Sequence, residues 1–178
     1  MDDDTYECLY TLRHDGGVNS ILQLRGKEVL VAATSSLSGV SFWNINDYTH
    51  QHTITGYTVD GSTHMIELSN GNIALSFWDE HHPIIVIIDS SSYQIVTVIH
   101  LKEYIYGYSS LCVFDEHSFI YVRYGTFLQI SSEDGRVLFH SEGGRFDGWY
   151  GGILPLEGGK YFAIEDSGRI SIIKPCYA

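Results

Sequence analysis

The sequence has little positive charge. Its 178 residues include 10 Lys and Arg against 22 Asp and Glu, which gives a formal net charge of −12. Docking on nucleic acid or on an anionic membrane surface requires clustered positive charge. We therefore expect neither nucleic acid nor membrane among the partners, and the charge balance favours a basic peptide if the acidic surface has a role in binding.

Long hydrophobic runs are also missing. The longest aliphatic stretch, IIVII at 84–88, is far shorter than the ~20 residues that cross a bilayer as a helix. The chain opens MDDDTYE, which is acidic where a secretory leader would be basic. These features predict a soluble, cytoplasmic protein.

Cysteine is scarce and shows no pairing pattern. Cys8, Cys112 and Cys176 are an odd number, lie far apart and form no CxxC motif. Zinc or redox chemistry is typical of closely spaced cysteines. We interpret the three as small buried side chains in a reducing compartment, and we expect no metal and no cofactor.

What the chain does contain is typical of short strands joined by tight turns. There are 18 Gly and only 3 Pro, with NG, DG and GG pairs, and no long stretch has helical periodicity. Apolar residues make up 44% of the chain and charged residues 18%, enough for a real core. We predict a single all-β domain over residues 1–178.

The chain has an internal repeat. Four segments consist of an apolar strand, a polar turn and a second apolar strand: VNSILQLRGKEVLVAAT, THMIELSNGNIALSF, SSLCVFDEHSFIYVRY and GGILPLEGGKYFAIED. The last apolar residues before these turns are spaced by 44, 46 and 42, and they are Leu24, Leu68, Phe114 and Leu156. The first apolar residues after the turns keep the same spacing. Each unit adds a third strand after its hairpin and a fourth before it, the latter reading CLYTLR, HTITGY, IVTVIH and VLFHSE.

Four strands per unit and a period near 43 residues resemble the blades of a degenerate WD-repeat β-propeller. In the first unit HDGGV replaces the Gly-His segment of that family, and Trp43-Asn44 replaces its Trp-Asp. The resemblance covers nearly all of the chain, with repeats at about 8–49, 50–93, 94–135 and 136–176. It implies four antiparallel blades of four strands each.

The resemblance raises the question of how the ring closes. In such propellers an N-terminal strand completes the last blade, and CLYTLR is a strand of that type. WD-like blades usually form rings of about 7 or 8, so four units are half of an eight-bladed ring. We expect a homodimer in which each N-terminal strand completes the other subunit's last blade. A closed four-bladed monomer and a ring completed by a different protein remain alternatives.

Histidine and acidic clusters are weak candidates for chemistry. DEHHP at 79–83 joins two strands of the second unit, and we interpret it as a hairpin turn. His50 and His52 lie two apart on a strand and should share one face, yet a solvated outer strand explains them as well. Glu133-Asp134 and Glu165-Asp166 are typical of turns and strand ends. GGRFDGWYGG lacks the strand-then-helix context of a dinucleotide site.

The resemblance implies a non-catalytic scaffold that presents loops to a protein or peptide; the alternative is a small-ligand binder or a hydrolase-type enzyme that uses the central channel. The loops between fourth and first strands lie together on one face of such propellers. Here they carry aromatic and cationic residues of the kind that anchor interfaces. The candidate partner-binding residues are His14, Tyr57, Tyr104, Tyr106, Tyr108, Arg145, Trp149 and Tyr150.

Overall fold

The computed structural model describes residues 8–14, 16–34, 39–56, 63–79, 82–101, 109–123, 126–141, 152–157, 160–166 and 169–174. Their regular structure consists of strands, so the all-β prediction is confirmed. The strands are β1 (Val18–Gln23), β2 (Val29–Thr34), β3 (Val40–Asn44), β4 (His50–Ile54), β5 (Met65–Glu67), β6 (Ile73–Asp79), β7 (His82–Ile88), β8 (Ile95–His100), β9 (Ser110–Val113), β10 (Ser118–Arg123), β11 (Thr126–Ser131), β12 (Val137–Ser141), β13 (Ile153–Leu156), β14 (Tyr161–Asp166) and β15 (Arg169–Ile173).

Each strand pairs antiparallel with the next one in its sheet. The strands form three four-stranded sheets, sheet 1 (β1–β4), sheet 2 (β5–β8) and sheet 3 (β9–β12), and a three-stranded sheet 4 (β13–β15). The sheets begin one strand later than the sequence repeats, because the strand that opens a repeat belongs to the preceding sheet.

The core lies between consecutive sheets. Alternate residues of a strand point to opposite faces, and in β7 Ile84, Val86 and Ile88 pack toward sheet 1. The intervening Ile85 and Ile87 pack toward sheet 3. This two-sided burial is why the middle strand of an interior sheet has the continuous apolar sequence IIVII. A third cluster joins sheets 3 and 4.

The inner strands contact one another in chain order. β1 contacts β5, β5 contacts β9 and β9 contacts β13, whereas no comparable contact joins β13 to β1 among the described strands. Among the described residues the four sheets are therefore joined in a row from sheet 1 to sheet 4, which we call the arc. No helix in the described part of the chain has the length and apolar character needed to cross a membrane.

The segment before β1 differs from expectation. Residues 8–14, which include the predicted strand CLYTLR, belong to no sheet. They pack beside sheet 1 instead, where Tyr10 stacks on Tyr48 with ring centroids 4.4 Å apart and His14 meets the Trp43 ring edge-on at 5.2 Å. The segment packs through these ring contacts and pairs with no strand of the described sheets.

Two of the predicted cysteine environments can be compared with the structure. Cys112 is buried between sheets 3 and 4, as predicted, and burial raises the pKa of its thiol to about 12. Cys8 is exposed, so the prediction of a buried side chain was wrong there. The reason is that its segment lies on the outside of sheet 1 and not within a sheet. Cys176 is outside the described residues.

Two histidine-containing segments of the sequence, DEHHP and the pair His50 and His52, can be compared with the structure. Asp79 pairs with His82, so β6 and β7 form the predicted hairpin, but Asp79, His82 and Pro83 of DEHHP belong to the two strands, and Glu80 and His81 lie outside the described residues. His50 and His52 do not share a face, because a bulge between Phe42 and Trp43 shifts the register of β4. His52 therefore contacts Phe42, whereas His50 contacts the Trp43 ring.

Candidate functional site on the turn face

In each four-stranded sheet the turn between the first and second strands and the turn between the third and fourth strands lie at the same end, because successive strands are antiparallel. The β1–β2, β5–β6 and β9–β10 turns connect inner strands, and the β3–β4, β7–β8 and β11–β12 turns connect outer strands. Hydrogen bonds between turns of neighbouring sheets place them all on one side of the molecule, which we call the turn face. We call the contact between two consecutive sheets a joint.

The outer turns are built alike, although their sequences differ. Asn44, Asp89 and Ser131 each accept two backbone N–H bonds from the residues two and three positions on. Four residues after each lies a residue with positive φ. The bond from the Ser92 amide is the main cause that lowers the pKa of the Asp89 carboxyl. This shared geometry makes Ser90 and Ser132 structurally equivalent.

Lysine closes the joint between sheets 1 and 2 on this face. Lys27 Nζ donates to Ser90 Oγ at 2.7 Å, to the Ser90 carbonyl at 3.3 Å and to Ser91 Oγ at 3.3 Å. Ser90 Oγ in turn donates to the Gly71 carbonyl at 2.5 Å. The ammonium thus has three oxygen acceptors in the outer turn of sheet 2.

An ion pair adds to the same joint. Arg25 Nε lies 3.2 Å from Glu67 Oε2, and the Arg25 Nη2 donates to the Leu68 carbonyl at 3.0 Å. The backbone amide of Arg25 also donates to Glu67 Oε2 at 2.7 Å. The guanidinium is therefore turned toward the inner turn of sheet 2, and Glu67 offsets its charge.

The joint between sheets 2 and 3 repeats this arrangement with shorter side chains. Ser69 Oγ donates to the Asp115 carbonyl at 3.0 Å, and Asn70 Nδ2 donates to the Ser132 carbonyl at 3.1 Å. Asn70, one position before the equivalent of Lys27, thus bonds across this joint but reaches only the carbonyl. Ser132 Oγ is buried and has no hydrogen-bond partner, in contrast to the equivalent hydroxyl of Ser90.

A cavity opens at this second joint. Its volume is about 510 Å³, and it is lined by Arg25, Ser69, Asn70, Glu116, His117, Ser132 and Glu133. The lining includes two carboxylates, those of Glu116 and Glu133, and one guanidinium, that of Arg25, which is also paired with Glu67. His117 Nδ1 lies 3.5 Å from Glu133 Oε1. The cavity is consequently an acidic, hydrogen-bonding depression suited to a cationic group.

A half-buried histidine links sheets 2 and 3 at the end of the strands opposite the turn face. His64 Nδ1 accepts the backbone N–H of Leu111 at 2.9 Å, so that nitrogen carries no proton. Burial lowers the pKa of His64, which favours the neutral ring. Next to it, Ser109 Oγ donates to Ser76 Oγ at 2.9 Å. His64 is therefore a structural element of the joint.

The two ends of the arc expose residues that interior joints bury. Ile21, Met65, Leu111 and Ile153 each lie three positions before the last apolar residue of an inner turn. Three of them pack against the preceding sheet and have relative exposures of 5% (Met65), 1% (Leu111) and 9% (Ile153). Ile21 has no preceding sheet and is 66% exposed.

Sheet 4 has the complementary open face. Leu154, Ile170 and Ile172 are each more than half exposed. Their equivalents in sheet 2, by distance from the same landmark residues, are Ile66, Ile85 and Ile87, which pack against sheet 3. The outer face of sheet 4 therefore has the apolar pattern of a covered face without a following sheet to cover it.

The structure locates only one of the sequence-predicted binding residues. His14 is half-buried and packs against Trp43, so it lies beside sheet 1. The other seven, Tyr57, Tyr104, Tyr106, Tyr108, Arg145, Trp149 and Tyr150, lie outside the described residues.

Sequence reasoning missed the turn-face residues. It interpreted Glu133 as an ordinary turn acid and gave no role to Lys27 or Asn70. An alignment of the turns would have paired Ser90 with Ser132, since each lies two positions after a third-strand isoleucine. No group of three His, Cys, Asp or Glu side chains among the described residues is close enough to hold a metal ion.

Comparison with known proteins identifies the fold through structure alone. No family model matches the sequence, and no curated protein matches it. The β-propeller domain of Cps50 (Swd1) from Myceliophteria thermophila superposes with a TM-score of 0.71 at 13% identity, covering 94% of this chain and 54% of that one. A dihydro-heme d1 dehydrogenase, NirN, solved in complex with DHE, has a TM-score of 0.63 at 10% identity, covering 90% of this chain and 36% of that one.

Each match covers only part of the other protein's chain. This chain spans about half of the first protein's chain and about a third of the second's. At such identities the likeness concerns the fold and not the activity of either protein. Sheets joined face to face in chain order, together with these neighbours, confirm the predicted propeller architecture: the chain folds as consecutive blades of a β-propeller.

Proposed function

We propose that the protein is a non-catalytic interaction scaffold whose propeller ring is completed by a second copy of the same chain. The observation that carries the proposal is the exposed apolar face of sheet 4 (Leu154, Ile170 and Ile172), together with the exposed Ile21 of sheet 1. Apolar patches of this kind are typical of protein interfaces. Four sheets from each of two chains give an eight-bladed ring, within the usual range of propellers.

The occupant of each open face follows from the repeat. The outer face of sheet 4 has the residue pattern that sheet 2 presents to sheet 3. Ile21 of sheet 1 holds the position at which Met65, Leu111 and Ile153 contact the preceding sheet. Sheet 4 of one copy therefore fits sheet 1 of another, and two such joints related by a two-fold axis close the ring.

The segment before β1 supports the same geometry. Tyr93 in the outer turn of sheet 2 packs against Phe42 and His52 of sheet 1, with ring centroids 4.4 Å and 5.6 Å away. Tyr48 occupies the equivalent turn position in sheet 1, and it packs against Tyr10. Residues 8–14 thus lie where the outer strand of a preceding sheet would be.

Sheet 4 has a place for such a strand. Among the described residues β15 is an edge strand, and unpaired edges favour the addition of a strand. In the proposed ring, residues 8–14 of one copy pair with β15 of the other. This exchange would tie the subunits together by backbone hydrogen bonds as well as by apolar contact.

The proposal also includes the kind of partner that the scaffold binds. We propose a protein or peptide partner, with neither nucleic acid nor membrane bound, and a cytoplasmic location supported by two free thiols. The loop residues His14, Tyr57, Tyr104, Tyr106, Tyr108, Arg145, Trp149 and Tyr150 remain its proposed contact set. Alanine at Trp149 or Tyr106 should weaken partner capture without changing the melting temperature, and unchanged capture would remove this surface from the proposal.

The experiment on ring completion uses two tags. Two wild-type copies that carry different affinity tags should co-purify when expressed together, because sheet 4 of each copy packs against sheet 1 of the other. Ile172→Lys should abolish co-purification, since it places a charge in the joint between subunits. Val96→Lys is the matched control, because Val96 is similarly exposed but lies on the outer strand of an interior sheet.

The controls define the outcome that would contradict the proposal. Each variant should keep the wild-type circular dichroism spectrum, because both substituted residues are exposed. Co-purification that survives Ile172→Lys, or that Val96→Lys abolishes equally, would show that the end faces do not join the copies.

A further inference from the structure

We propose that the cavity between sheets 2 and 3 on the turn face binds the side-chain ammonium of a lysine from a partner protein. This inference gives a chemical identity to the partner of the proposed scaffold and rests on that function. The inference depends on a difference between two joints of this chain. In one joint a lysine bonds to the outer turn of the next sheet, and in the other joint no described lysine does so.

The joint between sheets 1 and 2 is the template. There the Lys27 ammonium contacts three oxygens of the outer turn, from Ser90 and Ser91, at 2.7–3.3 Å. Hydrogen bonds from a charged donor to several acceptors are stronger than neutral ones. The outer turn of this fold is thus able to hold a primary ammonium.

The equivalent turn of sheet 3 offers the same acceptors. Ser132 is equivalent to Ser90, and Glu133 stands at the position of Ser91. The substitution of a hydroxyl by a carboxylate makes the turn a better acceptor for a cation. Asn70 reaches the Ser132 carbonyl at 3.1 Å and extends no further.

A buried hydroxyl is the second, independent observation. Ser132 is only 2% exposed, lines the cavity, and its Oγ has no hydrogen-bond partner. Buried polar atoms are nearly always hydrogen-bonded, and an exception calls for an explanation. A bound ammonium that donates to Ser132 Oγ supplies it, as Lys27 does for Ser90.

Charge and size select the ligand. Glu116 and Glu133 contribute two negative charges to the lining, and the guanidinium of Arg25 is engaged by Glu67. A cavity of about 510 Å³ that is open to solvent accommodates a lysine side chain presented by a peptide. The excess of acidic residues over the whole chain attracts basic segments to this face.

The test titrates the full-length protein with tetralysine peptide, using amide NMR shifts and calorimetry. We expect one site per chain, with the largest shifts at Asn70, Ser132 and Glu133. Ser132→Ala and Glu133→Gln should each weaken the affinity about tenfold, the effect of losing one hydrogen bond to a charged group. Glu157→Gln is the matched control: it removes the same charge from an exposed turn position outside the cavity and should leave the affinity unchanged.

A second variant uses the template directly. Asn70→Lys should place the chain's own ammonium on Ser132 and Glu133, as Lys27 does on Ser90. It should abolish tetralysine binding and raise the melting temperature, a pair of effects that simple disruption of the fold would not produce. Wild-type affinity in both Asn70→Lys and Ser132→Ala would overturn the site.

The same titration separates this inference from the ring. Tetralysine binding with these variant effects in a protein that does not co-purify with a second copy would leave the lysine site and reject the ring. A tagged pair that co-purifies but binds tetralysine equally well after every substitution, including Glu157→Gln, would show general attraction to acidic surface and reject the site.

Discussion

The interior joints and the two ends of the arc have apolar residues at equivalent positions. These side chains are buried in the joints and exposed at the ends. Leu111 is 1% exposed because sheet 2 covers it, whereas its equivalent Ile21 is 66% exposed. Burial of an aliphatic side chain contributes about 1.5–3 kcal/mol, so the interior positions stabilise the fold and the end positions do not. The difference teaches that each interior sheet packs against two neighbours, whereas sheets 1 and 4 each pack against one among the described residues.

The largest contrast is expected from truncation at these equivalent positions. Leu111→Ala should lower the free energy of unfolding by about 2–5 kcal/mol, because it leaves a cavity in the joint between sheets 2 and 3. Ile21→Ala should change it by less than about 0.5 kcal/mol in the isolated chain. Urea unfolding at low protein concentration, where subunits would be separated, measures both.

The effects of Ile21→Ala and Leu111→Ala should differ in how they depend on protein concentration. If Ile21 is covered by a second copy, the cost of Ile21→Ala should grow as concentration rises, because association stabilises the folded state. The cost of Leu111→Ala should stay constant. A concentration-independent result for both variants would contradict the assignment of Ile21 to a joint between subunits.

A smaller effect is expected from the pH dependence of an interior joint. Burial lowers the pKa of His64 below 6.5 in the folded state, whereas the unfolded chain keeps the ordinary value. The unfolded state therefore binds the proton first, so His64 contributes stability above pH 6.5 that is lost as the pH falls toward its lowered pKa.

The variant His64→Asn isolates that contribution. Asn Oδ1 can accept the Leu111 N–H without titrating, so the variant should lose less stability than wild type between pH 7 and pH 5. Urea midpoints at the two pH values measure the difference. Parallel loss in both proteins would mean that other groups cause the acid sensitivity.

The smallest effect is expected at the turn-face bonds of the first joint. Lys27→Ala removes three hydrogen bonds from Ser90 and Ser91, and partial exposure limits the cost to about 1 kcal/mol. Lys160→Ala is the control, since that lysine is exposed and contacts only its own neighbourhood in sheet 4, namely Glu157 and the Tyr161 ring. Equal melting temperatures for the two variants would show that Lys27 does not stabilise the joint.

The sequence predicts much of this fold because the repeat constrains it. The spacing of Leu24, Leu68, Phe114 and Leu156 locates the inner turns, and the two-sided burial of β7 explains an apolar run that alternation alone would not identify. The placement of residues 8–14 could not be predicted in this way. A strand forms only beside a free edge, and which edge is within reach depends on tertiary structure.

The candidate site was less predictable, for a similar reason. The bulge that separates His50 from His52 and the contrast between Lys27 and Asn70 arise from register and side-chain length across a joint. The periodic pattern of a sequence reveals neither the register shift at a bulge nor the reach of a side chain across a joint. The turn-face acids could be seen in the sequence, but only the unpartnered hydroxyl of Ser132 distinguishes their cavity from ordinary solvated turns.

The most direct test of ring completion is the mass of the protein in solution, measured by light scattering on a size-exclusion column over a tenfold range of concentration. The proposal predicts a mass twice the 20.1 kDa of the chain, reduced to that of one chain by Ile172→Lys. A wild-type mass of one chain throughout that range would contradict it.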